Sequence, residues 1–348
     1  MRHLLFLLFF TPNILFSQHN PVFPSLSKDE LLQAIKEGYT PANTLGYNTA
    51  RDTLFRNILA VDNKLKCLYT DWEITLNPSL DPSDNAFSQN VNTEHIYPQS
   101  KGAKVEPARS NMYNLYPVRE NVNTDRSNDP FGDIDDNQTQ WWYYQDIKQS
   151  NKPSANIDLY SEKIGGKFEP KESRKGDIAR SIMYFYTIYT SECNALDPNY
   201  FVSMSNDLCK WHFLDPVDQD EWNRNILIAS YQDQKSNPFI LDCTIPERSY
   251  CSDLGYKCVP SNSLNSHIDY KPLTIMPNIG TNGTVIHINA KEDESTLIVM
   301  DSQGSQVACF KTTMNNSFSL DSIPTGVYFI FSKNKEGYIT GSGRYIKL

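Results

Sequence analysis

The sequence predicts an α+β protein, with a mainly helical, loop-rich domain followed by a small C-terminal β-sandwich. Three observations lead there. Its 348 residues exceed the roughly 250 to 300 at which a single hydrophobic core stops growing, so two modules are expected. Apolar residues recur at helical spacing in several stretches before residue 260. Beyond residue 275 the pattern changes to short β-branched and aromatic runs separated by turn residues.

The chain opens with Met1, Arg2 and His3, an apolar run from Leu4 to Phe16, and the small residue Ser17. A positive start before an apolar run shorter than the ~20 residues needed to span a bilayer marks a secretory signal peptide over residues 1–17. No later segment is apolar enough to cross a membrane. The expected location is therefore outside the cell or at its surface, reached through the periplasm.

Residues 25–39, SLSKDELLQAIKEGY, combine a Ser/Asp start with Leu31, Leu32 and Ile35 on one stripe and read as a helix. Residues 49–60, TARDTLFRNILA, do the same with Leu54, Phe55, Ile58 and Leu59. From Tyr69 to Trp142 the chain is rich in Asn, Asp, Pro and Ser, and long functional loops are expected there. Residues 176–190, GDIARSIMYFYTIYT, carry bulky residues all round and predict a core helix. A polar, proline-marked stretch assigned to residues 263–275 reads as a linker, which places the larger domain at 18–262 and the sandwich at 276–348. In that last segment TVIHIN, TLIVMD, QVACFK, GVYFIFS and GRYIKL supply five candidate strands.

Seven cysteines are present and none forms a CxxC, which argues against zinc-knuckle spacing. In an exported chain, Cys67, Cys193, Cys209, Cys243, Cys251 and Cys258 are expected to form disulfides, in a pairing that spacing alone does not fix. Cys309 is left over and reads as a small buried hydrophobe.

The chemically informative stretches are residues 92–100, NTEHIYPQS, and residues 109–132, RSNMYNLYPVRENVNTDRSNDPFG. Hydrolysis of a phosphodiester needs a base for water and a cation for the phosphate and leaving oxygen. His95 titrates in the right range for the first task. Glu94 and Asn123 offer one carboxylate and one amide oxygen, enough protein ligands for a Mg²⁺-type ion that keeps several waters. Glu94 and His95 are neighbours, so they serve one site only if a strand ends or bulges there, as Pro98 suggests. Asn123 is expected on a short helix that starts near Pro117 and stops before Pro130.

Net charge is −9, the wrong sign for holding nucleic acid through a broad positive field. A nuclease with a local cationic groove survives that objection; a high-affinity coating protein does not. The missing HExxH motif argues against a zinc peptidase.

Those two stretches resemble the signature of the endonuclease I family, exported nucleases with a ββα-metal fold. The likeness continues through FEPKESRKGDIARSIMYFY, WHFLDPVDQDEWNRN and NPFILD, and upstream in GYNTARDTLF, so it covers roughly residues 46–242. It implies His95 as general base, Glu94 and Asn123 as ligands of Mg²⁺ (or Ca²⁺ or Mn²⁺), and nucleic acid, DNA or also RNA with the preference left open, as a substrate cut with little sequence preference. It also implies an arginine on the scissile phosphate. Arg109, between base and helix, is assigned that role, with Arg119 and Arg126 as further nucleic-acid contacts. Where the family commonly has Asp, this chain has Asn111, which raises a catalytically impaired nucleic-acid-binding or adhesion protein as the alternative. His212 is expected to be structural. At the C-terminus, MPN, LIVMDSQGSQV, IPTGVYFI and RYIKL resemble a type A sorting domain, implying the type IX secretion machinery as a partner. A monomer is expected.

Overall fold

The computed structural model describes residues 21–258, 272–288, 296–302, 306–312, 317–335 and 337–348. The expected signal peptide lies outside the described residues, as does most of the expected linker. Among the described residues no helix is long and apolar enough to cross a membrane.

The fold is α+β. Helix α1 (Lys28–Tyr39) buries Leu31 and Ile35, with Asp29 and Glu30 in its first turn and Lys36 in its last, which suits the helix dipole. Helix α2 (Tyr47–Thr53) runs directly into a π-helical segment, Leu54–Leu59. A short hairpin, β1 (Lys64–Lys66) and β2 (Glu73–Thr75), precedes α3 (Pro82–Phe87), which Asp81 caps and Pro82 starts.

The element that positions the site comes next. Strand β3 (Val91–His95) pairs antiparallel with β4 (Leu115–Arg119), and β4 leads without a loop into α4 (Glu120–Arg126). The helix expected from Pro117 thus begins three residues later. Pro117 stands opposite Thr93 in the strand, and its carbonyl accepts a hydrogen bond from Leu68 on the side away from β3. Amide nitrogen and carbonyl of one strand residue face the same edge, so the missing N–H breaks no bond to β3.

A four-stranded antiparallel sheet follows, in the order β6 (Ile147–Gln149), β5 (Trp141–Tyr144), β7 (Ser161–Ile164), β8 (Lys167–Glu169). Helix α5 (Lys175–Ile188) is buried along almost its whole length, as its apolar surround predicts, and packs against α1 and against α7 (Tyr200–Leu214), which follows the short α6 (Thr190–Leu196). Its charged residues are paired inside: Arg180 makes a two-pronged contact with Glu221 of α8 (Gln219–Tyr231). Two short helices, α9 (Pro238–Leu241) and α10 (Thr244–Arg248), close the domain.

Beyond residue 272 two sheets face each other. One holds β9 (Ile275–Met276), β11 (Val285–Ile288) and β14 (Ser317–Ser319); the other runs β10 (Ile279–Gly280), β16 (Ile339–Lys347), β15 (Gly326–Lys333), β12 (Thr296–Asp301), β13 (Gln306–Lys311). Ile275, Ile286 and Ile288 of the first meet Leu297, Val299, Tyr328, Ile330 and Tyr345 of the second in one core, so the arrangement is a sandwich. The sandwich docks on the helical domain: Trp222, Ile226 and Ile240 pack with Phe331 and Ile339, and the Trp222 indole donates to the Ile339 carbonyl at 2.9 Å.

Cysteine usage departs from expectation. Disulfides join Cys209 to Cys251 and Cys243 to Cys258, whereas Cys67 and Cys193 are buried free thiols, each pushed up to about 12 mainly by burial. Cys309 is exposed rather than buried. It lies on the edge strand β13, where the period of two turns it outward.

Candidate functional site

Strand alternation sends Asn92 and Glu94 to one face of β3 and Thr93 and His95 to the other. Helix α4 lies against the first face and matches it rung for rung. Asn123 Nδ2 donates to Asn92 Oδ1 at 2.7 Å, and one turn later Arg126 Nη1 donates to Glu94 Oε1 at 3.0 Å. Two residues along a strand rise about 6.6 Å and three along a helix about 4.5 Å, so the two pairs are adjacent. Asn123 and Glu94 are thereby brought to the same flank of the hairpin.

Glu94 is buried, 3% exposed. The Tyr69 hydroxyl donates to the same Oε1 at 2.8 Å, so both side-chain donors engage one oxygen and neither engages Oε2. Burial raises the carboxyl above its ordinary range, opposed by the Arg126 charge and the Tyr69 hydroxyl.

Arg126, expected at the nucleic-acid surface, is instead fully buried. Besides Glu94 it donates to the carbonyls of His95 and Ile96 and to the Tyr200 hydroxyl, and it lies 4.4 Å from the Phe131 ring centroid. In this structure it has no face to offer a phosphate. It ties α4 to the end of β3, a role that the polarity of an arginine near the motif could not disclose.

On the other face His95 ends the strand. Its Nε2 lies 2.9 Å from the Arg109 carbonyl, which can only accept, so Nε2 carries the proton and Nδ1 the lone pair. Nδ1 faces the Gln99 amide at 3.4 Å, and the ring stacks on Tyr47 at 5.4 Å. Burial lowers the imidazole to about 4; the Arg109 carbonyl opposes this, while the charges of Arg109 and Arg126 reinforce it. The ring is therefore neutral near pH 7, and it stands at the last residue of β3, 5% exposed.

Arg109 is half-buried, with its guanidinium carbon 4.4 Å from the Tyr47 ring centroid, beside the ring that stacks on His95. Arg119 is not brought together with them. It pairs with Val91, four positions from His95 and about 13 Å along the strand. There it donates to the Gln145 carbonyl and lies over Trp72.

Asn111 sits in the core. Its Oδ1 accepts from the Tyr113 amide and from Gln232, and its Nδ2 donates to Tyr189 and Tyr184. It caps the turn Met112–Asn114 that returns the chain to β4. His212 is buried, with Nε2 3.0 Å from the Cys243 carbonyl, in keeping with a structural residue.

Sequence reasoning missed Tyr47, Tyr69, Asn92 and Gln99. Asn92 and Gln99 lay inside the quoted motif without an assigned task. Tyr47 and Tyr69 are far off in the chain; Tyr47 lay in the stretch GYNTARDTLF without an assigned task, and nothing in the local sequence marks Tyr69. Among the described residues no group of three or more His, Cys, Asp and Glu side chains converges on one point. An ion at this place would draw on few protein ligands, and one carboxylate oxygen with one amide oxygen suits a hard, hydrated divalent cation.

A model of the endonuclease I family matches residues 25–244. The extracellular ribonuclease of Bacillus amyloliquefaciens is 28% identical over 161 residues, 43% of this chain and 50% of that protein. The chain thus spans about half the length of the curated relative it matches.

Proposed function

The chain belongs to the endonuclease I family, and from that membership we propose that it is an exported, metal-dependent endonuclease that hydrolyses DNA with little sequence preference and RNA as a second substrate. The observation that carries the catalytic part is the 2.9 Å contact of His95 Nε2 with the Arg109 carbonyl, which leaves Nδ1 to act as the base, at the end of the strand that also bears Glu94.

His95 Nδ1 takes a proton from water as the water oxygen bonds to phosphorus and the bond to the 3′ oxygen breaks. The Arg109 carbonyl holds the ring and, by accepting from Nε2, favours the positive charge that develops on it. Arg109 itself grips the scissile phosphate, and Arg119 contacts the backbone at a distance. Glu94 through Oε2 and Asn123 through its amide oxygen would hold Mg²⁺, Ca²⁺ or Mn²⁺. When bound, that ion stabilises charge on the phosphate and the leaving oxygen. Tyr69 and Arg126 keep Glu94 in place by engaging its other oxygen. Backbone-directed arginines read no base edges, which accounts for the low sequence preference. RNA enters as second substrate because the matched relative is a ribonuclease.

Two disulfides support an oxidising, extracellular destination. The C-terminal sandwich is proposed as the sorting module for type IX secretion; its separate core supports an independent unit. Purified protein incubated with supercoiled plasmid, with Mg²⁺ and then with EDTA, tests the central reading. Nicking that needs the ion is expected, and plasmid left intact with every divalent ion would refute it. The same assay with single-stranded RNA tests the second substrate.

A further inference from the structure

Tyr47 is a hub that the catalytic reading leaves unused. His95 stacks on it at 5.4 Å, Arg109 lies 4.4 Å from its centroid and Arg51 5.0 Å. Arg51 and Thr93 also reach its hydroxyl. Arg51 sits one helical turn after Tyr47 on α2, which is why the two meet.

Carboxylates neutralise some of the arginines locally, and these two are not among them. Arg126, Arg174, Arg180 and Arg248 each pair with a carboxylate. Neither Arg51 nor Arg109 forms an ion pair among the described residues; besides the Tyr47 hydroxyl, Arg51 reaches Asn48 Oδ1 through Nη2 at 3.3 Å. The next residue, Asp52, turns to Ser83 instead. Both arginines also have an Nε that is buried without a hydrogen-bond partner, as do Arg119, Arg126, Arg174 and Arg224. Like charges gathered on one ring repel, and ring contact offsets only about 0.5–1 kcal/mol for each. An anion between Arg51 and Arg109 would relieve that repulsion.

We infer that Arg51 is a second phosphate-binding residue, which with Arg109 flanks Tyr47 and grips neighbouring phosphates of one nucleic-acid strand beside His95. A strand carries a phosphate about every 3.4 Å of axis, so two guanidiniums around one ring meet consecutive phosphates. The clamp is also the local cationic patch that a chain of net charge −9 requires. The inference rests on the nuclease reading.

The test is binding of a fluorescent 20-base-pair duplex in EDTA, followed by anisotropy across a salt series, with the recovered duplex checked for length. Arg51→Gln is expected to reduce the slope of log K against log salt by about 0.9 and to weaken binding about 8-fold at 0.1 M salt. Arg51→Lys is expected to keep the wild-type slope. Arg51→Met, whose stem still covers Tyr47, stands in should Arg51→Gln fail to fold, as read by thermal unfolding. A wild-type slope in the neutral variants overturns the inference alone. A wild-type protein that neither binds nor cuts nucleic acid overturns the nuclease reading and this inference with it.

Discussion

The Asn123 amide nitrogen lies 2.7 Å from Asn92 Oδ1, a contact between the α4 helix and the strand bearing Glu94. The bond uses the nitrogen end of the amide, so the oxygen end is the one presented elsewhere. An outer partner of this kind typically sets a ligand's orientation, and its loss costs about 10- to 100-fold in metal affinity. Asn92→Ala should weaken Mn²⁺ binding by that factor in titration calorimetry; an unchanged affinity would reduce the contact to packing.

His95→Ala should lower the rate of plasmid nicking by about 10²- to 10⁴-fold, the usual contribution of a general base. Duplex binding should persist, because the phosphate contacts belong to arginines. A rate within a few-fold of wild type would remove His95 from the mechanism.

Arg126 and Glu94 form a buried ion pair, and removing one member leaves the other uncompensated. Arg126→Met should cost about 3–5 kcal/mol in urea unfolding. The double variant Arg126→Met with Glu94→Gln should recover part of that loss, since no bare charge remains. Equal losses in both would show that the arginine's bonds to the His95 and Ile96 carbonyls dominate.

His212 is held down to about 3 from an ordinary 6.5, first by burial and then by the Arg180 charge. Below pH 6.5 the unfolded chain binds a proton there that the folded chain does not. The stability this group contributes is whole above 6.5 and is lost as pH falls toward about 3. The stability difference between wild type and His212→Gln should therefore shrink by on the order of 4 kcal/mol between neutral pH and that range. A constant difference across the series would contradict it.

Much of the fold was legible because its signals are local. Leu31 and Ile35 announce a helix by spacing alone, residues 176–190 announce a buried one by bulk on every side, and the β-branched runs beyond residue 275 announce strands. Pro117 misled because a proline at a first helical turn and a proline at a non-bonded strand position look identical until the partner strand is known. Cys67 and Cys193 misled for a similar reason: oxidation needs two thiols within bridging distance, and distance is not written in spacing.

The sequence, with the family it resembles, nominated the side chains proposed to carry chemistry: the imidazole of His95, the carboxylate of Glu94, the amide of Asn123 and the guanidinium of Arg109, all in two short stretches. Tertiary structure alone decided what each could do. Packing of α4 on β3 turned Arg126 from a surface cation into a buried pin, and the Arg109 carbonyl fixed which imidazole nitrogen keeps the lone pair. Tyr47 and Tyr69 joined the site from segments 25 or more residues away from the motif residues they touch. Burial, hydrogen-bond direction and proximity arise when distant segments share one core, and no local pattern encodes them.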